Sequence, residues 1–169
     1  MNAKEIDAAR KRAVNWYYQD TWGWASEDIP PTEVHSTFLK AQLIAANGDG
    51  KLAPEERQWA LGRAAAVGYP EELLQELEDY VADENIAEVI SQTKTTNKSR
   101  KSVIYFAIKA CAADGVYHDE EKEVVRQAAT ALGISEDVVE EIEKLCAEEE
   151  LLKEKRIQLL FPDGSPATR

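Results

Sequence analysis

Residues 49–78 match residues 114–143 at a constant offset of 65 without a gap, and ten of the thirty positions are identical. Unrelated segments of this length would share roughly two. Asp49-Gly50 recurs as Asp114-Gly115, Glu55-Glu56 as Glu120-Glu121, Gly68 as Gly133, and Glu71, Glu76 and Glu78 as Glu136, Glu141 and Glu143. Where identity fails, character persists: Trp59 answers to Val124, Leu73 to Val138, Leu74 to Val139 and Leu77 to Ile142. The same apolar face is therefore written twice. A unit this short cannot cover its own apolar face, so two copies are expected to stack and share one core.

The period of that face is helical. Ile6, Ala9, Ala13 and Trp16, then Val103, Phe106, Ala107 and Ala110, then Val124, Val125, Ala128 and Leu132 recur at 3.6-residue spacing, and no segment alternates as a strand would. Turn signals interrupt it at Pro30-Pro31, Asn47-Gly48-Asp49-Gly50, Gly68-Tyr69-Pro70, Asp114-Gly115 and Gly133-Ile134-Ser135. The expected fold is all-α, a helical bundle of about seven or eight helices with a pseudo-two-fold internal repeat of two helix–acidic turn–helix units. One domain spans residues 1–169: an N-terminal helix and aromatic arm over 1–30, repeat one over 31–82, a connector over 83–102, repeat two over 103–157 and a loose tail over 158–169.

Charge narrows the partners. A formal net charge of -12 disfavours nucleic acid and anionic membrane surfaces, which repel a chain of like sign. Cations or basic proteins suit it better. No run approaches the roughly 18 apolar residues of a membrane span, and the start lacks the apolar stretch of a signal peptide, so a cytoplasmic chain without direct membrane insertion is expected. Cys111 and Cys146 form no paired ligand motif and sit on apolar helical stripes, as buried thiols do. The chain has no nucleophile elbow, phosphate-cradling glycine loop, paired cysteine ligands or His-Glu metal motif, so it is not expected to be an enzyme or to hold an organic cofactor.

The acidic turns carry the main functional signal. Asn47, Asp49, Gly50 and Glu56 keep the spacing of the later part of a calcium-binding EF-hand loop, but its first ligand position falls on Ala45, and the second copy has Ala110 and Ala112 at the early positions. A complete EF-hand is excluded in both. The stretches IAANGDGKLAPEERQWALGRAAAVGYPEELL and ACAADGVYHDEEKEVVRQAATALGISEDVVEEI, each a DG turn followed five residues on by a Glu-Glu pair, resemble the two units of the TerB-like tellurite-resistance family over about residues 36–146. The resemblance implies an all-helical fold, a role in stress responses to metal and metalloid ions, and Asp49, Glu55, Glu56, Asp114, Glu120 and Glu121 as ligands of a divalent cation, whether calcium, magnesium or zinc. Two departures stand out: Ala53 and His118 occupy the position where the family usually has Ser or Thr, and the aromatic arm lies outside the pattern.

Asn47 and His118 are additional candidate ligands. The same glutamates have a structural role open to them, because a Glu at the start of a helix accepts free backbone N–H groups and offsets the helix dipole. A rival to cation binding is a metal-independent, co-chaperone-like module that docks a protein partner through its acidic face or through Trp16, Trp22 and Trp24. From Asp114 to Glu150 there are thirteen acidic and three basic residues, a net of -10. For the arm, the stripe Ile6, Ala9, Ala13, Trp16 and Tyr17 predicts that Trp16, with Trp22 or Trp24, is largely buried against the repeat core.

Overall fold

The computed structural model describes residues 3–31, 34–47 and 52–165, with side chains from residue 8 onward. Among these there is no strand, and nine α-helices follow in order: α1 (Ala3–Trp22), α2 (His35–Ala46), α3 (Pro54–Ala66), α4 (Glu71–Glu78), α5 (Ile86–Ser91), α6 (Lys94–Lys98), α7 (Arg100–Cys111), α8 (Asp119–Ala131) and α9 (Glu136–Leu160). The count exceeds the expected seven or eight because the connector holds two brief helices, each capped by a short side chain. The Asn85 side chain accepts from the backbone N–H groups of Ala87 and Glu88 ahead of α5, and Thr93 Oγ1 accepts from that of Thr96 ahead of α6.

The offset of 65 extends beyond the matched sequence. Helix α2 maps onto α7 and α3 onto α8 with identical bounds at both ends once 65 is added. Their last turns close alike: the Tyr69 amide donates to the Ala64 carbonyl, as that of Ile134 does to Ala129, and Gly68 and Gly133 both adopt left-handed backbone at φ +88° and +68°. Glycine is required there because a Cβ makes that conformation costly. Gly50, the partner of Gly115 in the acidic turns, lies outside the described residues.

Helices α2 and α7 pack against each other at the centre, and α3, α5, α8 and α9 pack around them. Two apolar clusters result. One gathers Leu39, Leu43, Leu61, Val67 and Leu77 of the first half; the other joins Ala41, Ala45, Val89 and Ile90 to Val103, Ile104, Ile108, Val125 and Leu132, and Ile44, Leu52 and Trp59 touch both. Both thiols are buried, as their stripes predict.

Helix α1 docks on repeat one with a face shifted by one position from the expected stripe. Val14, Tyr17 and Tyr18 turn inward, the Arg10 guanidinium donates to the Tyr69 carbonyl, and Ala9 and Ala13 are exposed. Trp16 is 66% exposed, contrary to expectation, because it sits off the face that Val14 and Tyr18 press onto the Gly68 turn. Trp22 and Trp24, 36% and 40% exposed, are not largely buried either. Their rings pack against Tyr18, Tyr105 and Phe106 and leave their outer faces to solvent. At the other end, α9 runs on past its packed half. Residues 151–160 are exposed on every side, leucines included, while Val139 and Cys146 hold the first part to the core.

Candidate functional site

The pseudo-two-fold relation brings Glu56 and Glu121 together. Each stands in the first turn of its helix, α3 or α8, and each repeats the same contact: Glu56 Oε2 accepts from the Ala53 N–H at 2.6 Å, and Glu121 Oε2 accepts from the His118 N–H at 2.6 Å. These bonds hold the helix starts in the way the capping role requires, at positions where the usual alcohol side chain is absent. They employ one oxygen per carboxylate. Ligand-bearing atoms of Glu56, Glu121 and Cys111 lie within 4.8 Å of one another. The capping role and a ligand role are therefore compatible at both residues.

Burial gives this cluster its electrostatics. Glu56 is only 6% exposed. Its carboxyl is pushed up to about 7, chiefly by desolvation and further by the facing Glu121, against the opposing pull of the Ala53 N–H. Burial and the two carboxylates raise the Cys111 thiol well above its usual range. Without a cation the pocket favours protons. A divalent ion would reverse that preference, since it stabilises both carboxylates and a thiolate.

The remaining predicted ligands lie elsewhere. Glu55 and Glu120 are exposed, one position before the inward-facing pair on their helices. Asp114 is exposed, with Oδ1 accepting from the Val116 N–H in a tight turn and Oδ2 3.9 Å from His118 Nε2. Asp49 lies outside the described residues. Asn47 is engaged at both ends of its amide: Oδ1 accepts from the Leu52 N–H at 2.7 Å, and Nδ2 donates to the Val81 and Ala82 carbonyls at 3.1 and 3.3 Å. It braces a chain segment in which Ala82 has left-handed backbone, φ 61°, unusual for a residue with a Cβ. Cys111 was legible as a buried thiol but not as a neighbour of the glutamates. Its counterpart at offset 65 is Ala46, so the repeat gives no hint of a ligand there.

The fit to a cation follows from these donors. Two carboxylate oxygens and a sulfur suit zinc or a similar borderline metal, whose sites mix sulfur and oxygen, better than calcium, which takes six to eight oxygens.

Comparison with known proteins agrees with the fold. Residues 33–144 match the family model described as tellurite resistance protein TerB. The chain is similar to a tellurite resistance protein from Nostoc punctiforme, known from a crystal structure at 1.85 Å resolution. The two share 35% sequence identity with a TM-score of 0.87, over 98% of this chain and 99% of that one. No curated protein matches. On the strength of both the family match and this likeness over nearly its whole length, the chain belongs to the TerB family.

Proposed function

We propose that this is a stress-response protein of the tellurite-resistance type that binds a divalent cation between its two repeats, with Glu56, Glu121 and Cys111 as ligands. The observation that carries this reading is the convergence of two repeat-equivalent carboxylates on one buried thiol, each keeping an oxygen beyond the one that caps its helix. A buried carboxylate that faces a second, half-buried one of like charge is costly to hold unless a proton or a cation lies between them. The exposed Asp114 and His118 form a separate, weaker pair on the rim.

Calorimetric titration of chelator-treated protein with zinc, calcium and magnesium tests the proposal. Zinc is expected to bind most tightly, with one ion per chain. Glu56→Gln combined with Glu121→Gln should abolish binding, and Cys111→Ser should weaken it. Undiminished zinc affinity in the double variant would remove the site.

The alternative, a metal-independent module docking a protein partner, draws on Trp16, exposed on the outer face of α1. It becomes the better reading if none of the three ions binds.

A further inference from the structure

A second concavity lies away from the glutamates, where α1 and the segment after it meet repeat one and the start of α7. Its volume is about 180 Å³. Its walls are mainly aromatic, from Tyr18, Trp22, Trp24, Phe38, Tyr69 and Phe106. Thr95, Thr96, Ser99 and Ser102 contribute hydroxyl groups along one side.

One charged side chain lines it, Arg63. Its guanidinium carbon lies 3.8 Å from the centre of the Phe106 ring and 5.9 Å from that of Phe38. Its Nη2 donates to Gln42 Oε1 at 3.2 Å, whereas its Nε is buried without a hydrogen-bond partner. No Asp or Glu lines the cavity. Among the described residues Arg63 has no carboxylate within ion-pair distance, and Gln42 Nε2 beside it is also buried without a partner. Arg63 as a whole is half-buried, but a buried donor atom left unsatisfied is still expensive, and a partly desolvated cation gains from a counter-ion. The neighbouring phenols supply no counter-charge: burial, against the opposing pull of Arg63 beside them, pushes Tyr69 up to about 12 and raises Tyr18 as well.

We propose that this cavity binds a small organic monocarboxylate, with the ligand's apolar body among the aromatic rings and its carboxylate on Arg63. The chemistry excludes the other classes. An aromatic cage usually suits a quaternary ammonium ion, but here such a ligand would meet the guanidinium. A neutral hydrocarbon would fill the space and leave Arg63 unpaired. Size sets the body: an apolar cavity of about 150 Å³ takes a benzene ring, so this one accommodates a ring or a chain of similar bulk with its carboxylate. Trp22 and Trp24, half-exposed at the rim, form the outer wall that such a ligand would pass.

The full-length protein should be titrated calorimetrically with benzoate, phenylacetate and hexanoate, and with benzyl alcohol and benzamidine as neutral and cationic counterparts. At least one carboxylate is expected to saturate at one per chain and to exceed benzyl alcohol by about tenfold, the ordinary worth of a charged hydrogen bond. Benzamidine should not bind. Arg63→Gln should weaken the carboxylate by a similar factor. Because that variant could also disturb the fold, the wild-type protein provides an independent readout: the indole N–H resonances of Trp22 and Trp24 should shift with the same saturation curve. The proposal is overturned if no carboxylate saturates, if benzyl alcohol binds equally well, or if the shifts cluster elsewhere.

Discussion

Repeat one and repeat two share helix bounds, glycine turns and the glutamate that starts α3 or α8, yet they are finished differently. Repeat one is enclosed. Helix α1 lies across its glycine turn, Asn47 ties α2 to the segment after α4, and Arg57 donates to the Leu77 and Tyr80 carbonyls at 2.8 and 2.9 Å. Repeat two is open. Lys122, at the Arg57 position, pairs with exposed Asp119, and Arg100 reaches the turn by donating to the Leu132 carbonyl at 2.8 Å. A duplicated sequence therefore conserves the elements that meet at the pseudo-axis, whereas the outer faces are free to diverge.

Three paired measurements and one pH series would break or sharpen that contrast. The largest difference is expected at Leu77, fully buried, against its half-buried equivalent Ile142. Leu77→Ala should cost about 3–5 kcal/mol and Ile142→Ala about 1–2 kcal/mol in chemical denaturation. Equal losses would mean that repeat two is as tightly packed as repeat one.

Next come the glycine turns. An added Cβ at Gly68 would lie 2.4 Å from Val14 Cγ2, whereas at Gly133 the nearest atom is Arg100 Nη1 at 3.8 Å. Gly133→Ala should cost about 1–2 kcal/mol from backbone strain alone, and Gly68→Ala about 1–3 kcal/mol more because α1 must move. If deleting α1 equalises the two losses, the excess belongs to that contact.

A smaller separation is expected for Arg57→Ala, which leaves two carbonyls without their donors, against Lys122→Ala, which removes an exposed ion pair. The former should cost about 1–2 kcal/mol and the latter under about 0.5 kcal/mol. Equal values would show that the carbonyls find other donors.

The smallest effect is a slope with pH. The folded Glu56 carboxyl is raised from 4.5 to about 7, so between these values the folded chain binds more protons than the unfolded one. Its contribution to stability is then full below about 4.5 and is lost as pH rises through about 7. In chelator, wild type should lose melting temperature relative to Glu56→Gln across that window. Parallel curves would show that Glu56 does not titrate there.

Much of this architecture could be read from the sequence because duplication supplies its own control. Gly68 and Gly133, like Glu56 and Glu121, recur at offset 65 and do the same backbone job in each copy. What could not be read was convergence. Nothing in the spacing tells that Glu56 and Glu121 turn toward each other while Glu55 and Glu120, one position away, face solvent, because that depends on how α3 and α8 are placed around α2 and α7. Cys111 escaped as a neighbour of the pair for the same reason. The arm was misread for a different one: α1 has aromatics on adjacent positions, Trp16, Tyr17 and Tyr18, so a one-residue rotation leaves an equally plausible apolar stripe. The short connector helices were missed because their caps, Asn85 and Thr93, are also ordinary turn residues.

The second half of α9 has a consequence for motion. Ten residues of helix beyond residue 150 are exposed and held by their own backbone hydrogen bonds with a Lys153–Glu150 ion pair on the helix surface, and isolated helices of that length are marginal in water. Their amide protons should therefore exchange with solvent through local fraying, at rates set by helix–coil opening, while amides near Val139 exchange only when the core opens. One continuous helix would then show a steep gradient of protection along its length, with the break at the point where side chains stop touching the rest of the protein.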